Sequence, residues 1–312
     1  MKILFFGTDD FALPSLKALA ECRHELVALT TQPDKPKGRG RKVEASPIKK
    51  FALDRRIPCL QPETPNDPAF LAQLKSASGG QADLIVLVAY GHLLKKELLE
   101  FPRFGGINLH PSLLPKYRGA APIQWAIWKG EKTTGVTTIQ MSEKIDAGEI
   151  LLQRDVSIGN EETYGELSNR LSEIGAQLLL ETLDGIEAGK IKGRPQDERE
   201  ASRAPKIEKE DYQIDWGKPG LEISNQIRAL SPIPGAFTFF RGERMEILAG
   251  RFEWGEGEKD AVGRIFLSKK ELKVATEDGF ILLLRIKPAG RREMDAQDFI
   301  NGFRPIEGEI FG

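Results

Sequence analysis

The hydrophobic pattern of this chain changes character partway along, and each pattern predicts its own architecture. Ile3 to Phe6 is apolar without alternation, the mark of a strand buried on both faces. Gly7-Thr8-Asp9-Asp10 reads as a turn with capping residues. Phe11, Leu16 and Leu19 then mark a helix that begins close to Pro14. A second buried strand, Leu26 to Thr30, follows. This β-α-β opening predicts a doubly wound parallel sheet. Further on, Ile57 and Leu60 predict a short edge strand, 68–75 a helix, and the apolar run 84–89 another buried strand. A short helix is expected over 123–128 and a strand over 135–141. From Thr163 to Leu183 the stripe Tyr164, Leu167, Leu171, Ile174, Leu178 and Leu183 predicts an amphipathic helix, opened by a Thr163–Glu166 capping box.

The segment 185–205 carries Gly, Pro and many charged or amide residues with no apolar period, which predicts a linker, placed at 190–206. Beyond it, a helix over 221–230 precedes short strands near 236–240, 245–249, 264–266, 272–275 and 280–286. That regular spacing predicts a small antiparallel barrel. The expected fold is therefore α/β. A Rossmann-like, doubly wound domain over 1–189 comes first, and an OB-like β-barrel over 207–312 follows. A barrel of this type with basic turns (Arg285, Lys287, Arg291, Arg292) suits nucleic acid, although such barrels also serve as scaffolds.

Length agrees with two domains, since the chain has 312 residues. The formal net charge of -1 removes any global reason to expect nucleic-acid binding, so such binding must come from a local patch. One exists. Between Asp34 and Lys50, seven basic residues face two acidic ones, a local charge of +5 on a Pro- and Gly-rich stretch that is not expected to be helical. A βα connection this long is usually functional or disordered. Lys35, Lys37, Arg39, Arg41 and Lys42 are thus candidates to contact a polyanion, with Gly38 and Gly40 letting Arg39 approach closely. Gly7 alone makes no dinucleotide fingerprint. Cys22 and Cys59 show no metal-ligand spacing and fit a reducing compartment, and no metal is expected. The apolar start is too short for a signal sequence and no run reaches membrane-span length, so a cytoplasmic protein is expected, and a monomer.

The candidate chemistry lies between Gly106 and Ala121. Asn108 and His110 are two apart on a predicted strand, so their side chains leave on one face. Asn supplies neutral N–H donors, and His a proton that moves near neutral pH. Together they suit a site where negative charge grows on a carbonyl oxygen. Pro111, Pro115 and Gly119 shape the loop that follows. Tyr90, Gly91 and His92 end a strand and belong to the same rim, where open parallel sheets bind ligands. His92 has no partner visible in the sequence and reads as structural. Asp146, in the turn 142–150, fits either a cap or a carboxylate that orients a histidine.

Taken together, Asn108-Leu109-His110, Ser112 to Pro115, Arg118-Gly119-Ala120 and Asp146-Ala147-Gly148 resemble the signature of 10-formyltetrahydrofolate enzymes. Three further segments are more discriminating: 31–40, the region of Ile214-Asp215-Trp216 and Arg228-Ala229-Leu230, and Pro288-Ala289-Gly290 with 296–299. With them the chain resembles the methionyl-tRNA formyltransferase family over essentially its whole length. Asp9 stands where that family usually has Pro, and Ile233 where Trp is common. The resemblance implies formyl transfer from 10-formyltetrahydrofolate to the methionine amine on initiator tRNA, without a metal. It implies that Asn108 and protonated His110 stabilise the oxyanion while Asp146 orients His110. Tyr90, Gly91, Ser112, Leu113, Leu114 and Pro115 would cradle the folate, and the basic loop would meet the tRNA. The alternatives are a sugar-nucleotide formyltransferase, a formyltetrahydrofolate hydrolase, or a non-catalytic tRNA- or folate-binding module. The basic loop argues against the first two, which have no use for it, and the intact trio against the third.

Overall fold

The computed structural model describes residues 1–34, 36–37, 42–255, 261–268 and 270–312, with backbone only at 36–37 and 42–43. Two compact units emerge. The first comprises residues 1–122, 134–156 and 168–205; the second comprises 123–133, 157–167 and 206–312.

The first unit is built on a seven-stranded sheet. From one edge its order is Ile150–Ser157, Thr133–Gln140, Gly106–His110, Leu84–Val88, Lys2–Gly7, Glu25–Thr30 and Cys59–Leu60. The strands from Gly106–His110 to Cys59–Leu60 pair in parallel, as their unbroken apolar runs require. Thr133–Gln140 departs from that expectation, running antiparallel to Gly106–His110 and making the sheet mixed. Leu4, Phe6, Ile85 and Leu87 bury one sheet face against Phe70 and Leu74 of the helix Pro68–Ala77. Strand order reverses between Lys2–Gly7 and Leu84–Val88, so the switch point, where such sheets bind ligands, lies at their carboxyl ends.

The stretch expected as a linker is a strap secured to this unit through residue 205. Arg194 and Ile150 exchange both main-chain hydrogen bonds, at 2.9 and 2.8 Å. Arg203–Ala204 pairs in parallel with Arg118–Gly119. The strap has no apolar period because main-chain bonds hold it, and these leave no mark on composition. Gly119 is required at this crossing. Its φ is +126°, and a Cβ there would lie 2.5 Å from the Ala204 carbonyl oxygen.

The basic loop also contains more order than its composition implies. Pro36 and Lys37 pair antiparallel with Val43 and Lys42. A helix, Pro47–Asp54, starts inside the stretch expected to be non-helical, because Ser46 caps the Lys49 amide and Pro47 occupies the first turn. At the base of the loop Lys49 donates to Asp34 and to Gln61 Oε1 (2.6 Å), while Gln61 Nε2 donates to Asp34 Oδ1 and to the Gln32 carbonyl, both at 3.0 Å. Lys49 is therefore a clamp.

In the second unit the strands run in the order Ala236–Phe240, Glu243–Trp254, Gly279–Pro288, Leu272–Ala275 and Ile265–Leu267. Ile310 bridges Arg264 and Phe311 bridges Phe240, so the C-terminal residues link the two edges of this antiparallel sheet. The strand expected over 245–249 extends to Trp254 because register shifts on either side of Ala249 let it bend and continue. Phe240, Phe299 and Phe311 are buried, and the Phe240 ring packs against the other two. Among the described residues no helix is long and apolar enough to cross a membrane.

Two measurements check these assignments. Hydrogen exchange should find the Arg194 and Ser202 amides, which donate to the Ile150 and Pro115 carbonyls, slowed at least about tenfold relative to free peptide. Exchange at free-peptide rates would restore the linker. The Asp34 carboxyl is held below the usual carboxylate range, first by the Lys49 hydrogen bond. Its contribution is present above the unfolded pKa of about 3.9 and lost as pH falls through the lower folded value. Lys49→Met should thus cost about 1.5–3 kcal/mol at neutral pH. In melting curves the gap to wild type should stay constant above about pH 5 and narrow as pH falls below about 4; a pH-independent gap contradicts the clamp.

Candidate active site

The strand Gly106–His110 ends against a loop, a turn and the strap, and these four segments converge on one carboxylate. Asp146 Oδ1 accepts from Asn108 Nδ2 at 3.2 Å. Asp146 Oδ2 accepts from the Gly119 amide at 2.9 Å and lies 3.6 Å from His110 Nδ1. The expected trio is therefore assembled. Asp146 contacts both partners, and its φ of +49° fits the left-handed region that short polar side chains tolerate.

His110 is 4% exposed, and its Nε2 lies 2.9 Å from the Tyr117 carbonyl oxygen. A carbonyl oxygen only accepts, so Nε2 carries a proton and Nδ1 faces Asp146. A second proton on Nδ1 would point at the carboxylate and make the pair an ion pair. The imidazole proton at Nε2 is thus already engaged by Tyr117 O, and a substrate oxygen would have to replace that carbonyl. Asn108 is differently placed. Asp146 takes one of its two amide N–H groups, and the described residues show no hydrogen bond from the other.

The folate candidates fall at a strand end and in the loop after the strand Gly106–His110. Tyr90 is 1% exposed, with its ring edge-on to Phe6 at 5.3 Å. Burial pushes its phenol well above the ordinary range. Gln32 Nε2 donates to the Tyr90 carbonyl at 2.8 Å, and a Cβ on Gly91 would lie 2.8 Å from that same nitrogen. Ser112 Oγ donates to Lys116 O at 2.6 Å, and Thr137 Oγ1 donates to Ser112 O at 2.6 Å. Leu114 is buried with Ile139 and Ile150, and its carbonyl accepts from Gln153 Nε2. These contacts fix the loop's shape; Leu113 and Pro115 stay partly exposed.

Lys35, Arg39 and Arg41 lie outside the described residues, and only the backbone of Lys37 and Lys42 is described. One group of three metal-capable side chains occurs among the described residues, His24 with Asp184 and Glu187. Its carboxylates are already paired with Arg23 and the Met1 ammonium.

Sequence reasoning missed the strap's contribution. Gln196 Nε2 donates to the Asp146 and Gly148 carbonyls, and Ser202 Oγ accepts from the Tyr117 amide at 2.9 Å. Bonds from side chain to main chain leave no periodic signal, and only the Pro195-Gln196 pair interrupts the charged run there.

The chain resembles known proteins along its whole length. The formyl transferase family model matches residues 1–183, and the formyl transferase C-terminal domain model matches 206–304. A methionyl-tRNA formyltransferase from Thermodesulfovibrio yellowstonii is 46% identical over 98% of this chain and 97% of its own length. One from Syntrophus aciditrophicus is 43% identical over 100% and 99%. Among solved structures, an N-formyltransferase from Helicobacter canadensis superposes with TM-score 0.68 at 19% identity, covering 91% of this chain and 98% of that one. HypX from Aquifex aeolicus, in complex with tetrahydrofolic acid, gives TM-score 0.66 at 20% identity; the match covers 100% of this chain and 50% of HypX. These two show a shared fold. The full-length identity to the curated relatives, joined to an assembled Asn–His–Asp trio, places the chain in the methionyl-tRNA formyltransferase family.

Proposed function

We propose that this protein transfers a formyl group from 10-formyltetrahydrofolate to the α-amino group of methionyl initiator tRNA. The observation that carries this reading is an amide N–H of Asn108 that makes no hydrogen bond among the described residues, beside a histidine–aspartate pair, in a chain similar throughout to methionyl-tRNA formyltransferases. An unused donor next to a buried, orientable charge is what a developing oxyanion requires, and it suits a formyl carbonyl.

Attack by the neutral amine forms a C–N bond to the formyl carbon and pushes its carbonyl pair onto oxygen. Asn108 donates to that oxygen, and one such donor is worth about 3–4 kcal/mol at the transition state. His110, backed by Asp146, adds positive charge and gives its Nε2 hydrogen bond to the substrate in place of Tyr117 O. Catalytic hydrogen bonds commonly tighten only in the substrate complex. Collapse breaks the bond to N10, and the proton lost by the amine passes to N10 by way of the His110–Asp146 pair. The backbone at Tyr90 and Gly91 and the loop 112–115 form the folate cradle. No step calls for a metal ion. The basic loop supplies the tRNA contacts through Lys35, Lys37, Arg39, Arg41 and Lys42; Lys49, held by Asp34 and Gln61, serves the loop instead.

Two variants test this. His110→Ala should lower kcat for methionyl initiator tRNA by at least about 10²-fold while calorimetric binding of a folate analogue stays near wild type, because the lost interaction belongs to the transition state. A variant keeping a tenth of wild-type kcat would remove His110 from the chemistry. Arg39→Ala should cut kcat/KM for initiator tRNA at least about tenfold and shrink its advantage over elongator tRNA, as expected for a contact that reads more than phosphate. An equal loss on both tRNAs, with only a flatter salt dependence, would make the loop a general electrostatic anchor.

A further inference from the structure

Asp146 is gripped in front by Asn108, Gly119 and His110, and behind by a residue that the chemistry above does not use. Gln196 Nε2 donates to the main-chain carbonyl of Asp146 at 2.8 Å and to that of Gly148 at 2.7 Å. Its Oε1 accepts from Arg118 Nε at 3.0 Å and from Nη2 at 2.7 Å. Arg118 is itself paired with Glu198, at 3.0 Å from each terminal nitrogen. A guanidinium only donates and a carbonyl only accepts, so the partners leave one orientation for the Gln196 amide.

The consequence lies in the turn. Asp146 holds a positive φ of +49°, a conformation that persists where surrounding contacts enforce it. Gly148 is pressed so closely on the strand beside it that a Cβ would stand 1.7 Å from the Gln140 carbonyl oxygen. The Gln196 amide spans these two residues and fixes the peptide from which the carboxylate projects. Through Arg118 it also ties the turn to the residue next to Gly119, whose amide donates to that carboxylate. One side chain thus links the carboxylate's main chain to one of its donors.

We infer that Gln196 is a positioning residue for formyl transfer, acting through Asp146; this rests on the catalytic reading of Asn108, His110 and Asp146 given above. Displacement by about 1 Å of a group that must align with reacting atoms costs about 10²-fold in rate. Gln196→Leu removes both donors and the acceptor for Arg118. Gln196→Glu keeps the acceptor and turns a carboxylate towards the two carbonyls. Both variants should lower kcat roughly 10- to 100-fold with KM for folate and tRNA within about twofold of wild type.

The deciding measurement is a double-mutant cycle on the full chain, with single-turnover formyl transfer as the readout and melting curves on every variant. In an Asp146→Ala background the carboxylate is gone, so Gln196→Leu should cost less than about twofold further. The same fold-loss in both backgrounds would show that Gln196 acts on the fold at large and would overturn the inference. So would wild-type kcat in Gln196→Glu, or a loss confined to KM. Should Gln196→Leu fail to fold, the Glu variant carries the same cycle. Near-full activity in Asp146→Ala alone would instead defeat the catalytic reading on which the inference stands.

Discussion

A single carboxylate with four neighbours constrains the candidate active site. Asp146 holds two donors, Asn108 Nδ2 and the Gly119 amide, and a histidine nitrogen, and its own main chain is held by Gln196. These groups come from a strand end, a loop, a turn and a strap that are up to 88 residues apart in the chain, from Asn108 to Gln196. Buried charge in such a place is tolerated only when it is hydrogen-bonded from several sides. The fold therefore has to bring those segments together before any chemistry is possible. The tight glycines at 119 and 148 permit the approach, since each would place a Cβ against a main-chain oxygen.

Much of this was legible in the chain. The apolar runs at Ile3–Phe6 and 84–89 announce the central strands, because a strand covered on both faces has no polar position to spare. The two-residue step between Asn108 and His110 announces a shared face, and both side chains do reach Asp146. What stayed hidden is what main-chain hydrogen bonds build. The strap around Arg194 and Ser202, the terminal bridge at Ile310–Phe311 and the antiparallel direction of Thr133–Gln140 are set by main-chain pairing, which leaves no period in the sequence. The helix Pro47–Asp54 was masked by the Pro and Gly before it, although Ser46-Pro47 is a recognisable start. Tyr90 reads as a rim residue from its place at the end of a strand, yet its ring turns into the core.

Charge is distributed with the same economy. The chain as a whole is close to neutral, while the stretch between Asp34 and Lys50 is strongly basic. Its base is pinned by Asp34, Lys49 and Gln61, so one of the seven basic residues serves the loop's own structure. The proposed function gives the others a use, as a local field for a polyanionic substrate, which a small acceptor or a water molecule would not need.

The claim that joins the acyl-transfer site to that basic loop is most directly tested by the acceptor. Purified wild-type protein is given 10-formyltetrahydrofolate with charged initiator methionyl-tRNA, charged elongator methionyl-tRNA or an amino-sugar nucleotide, and formylated product and free formate are counted. The expected result is formylmethionine on initiator tRNA, with kcat/KM at least about tenfold above the elongator. Formylation of the sugar nucleotide alone, or formate released to water whichever acceptor is present, would contradict it.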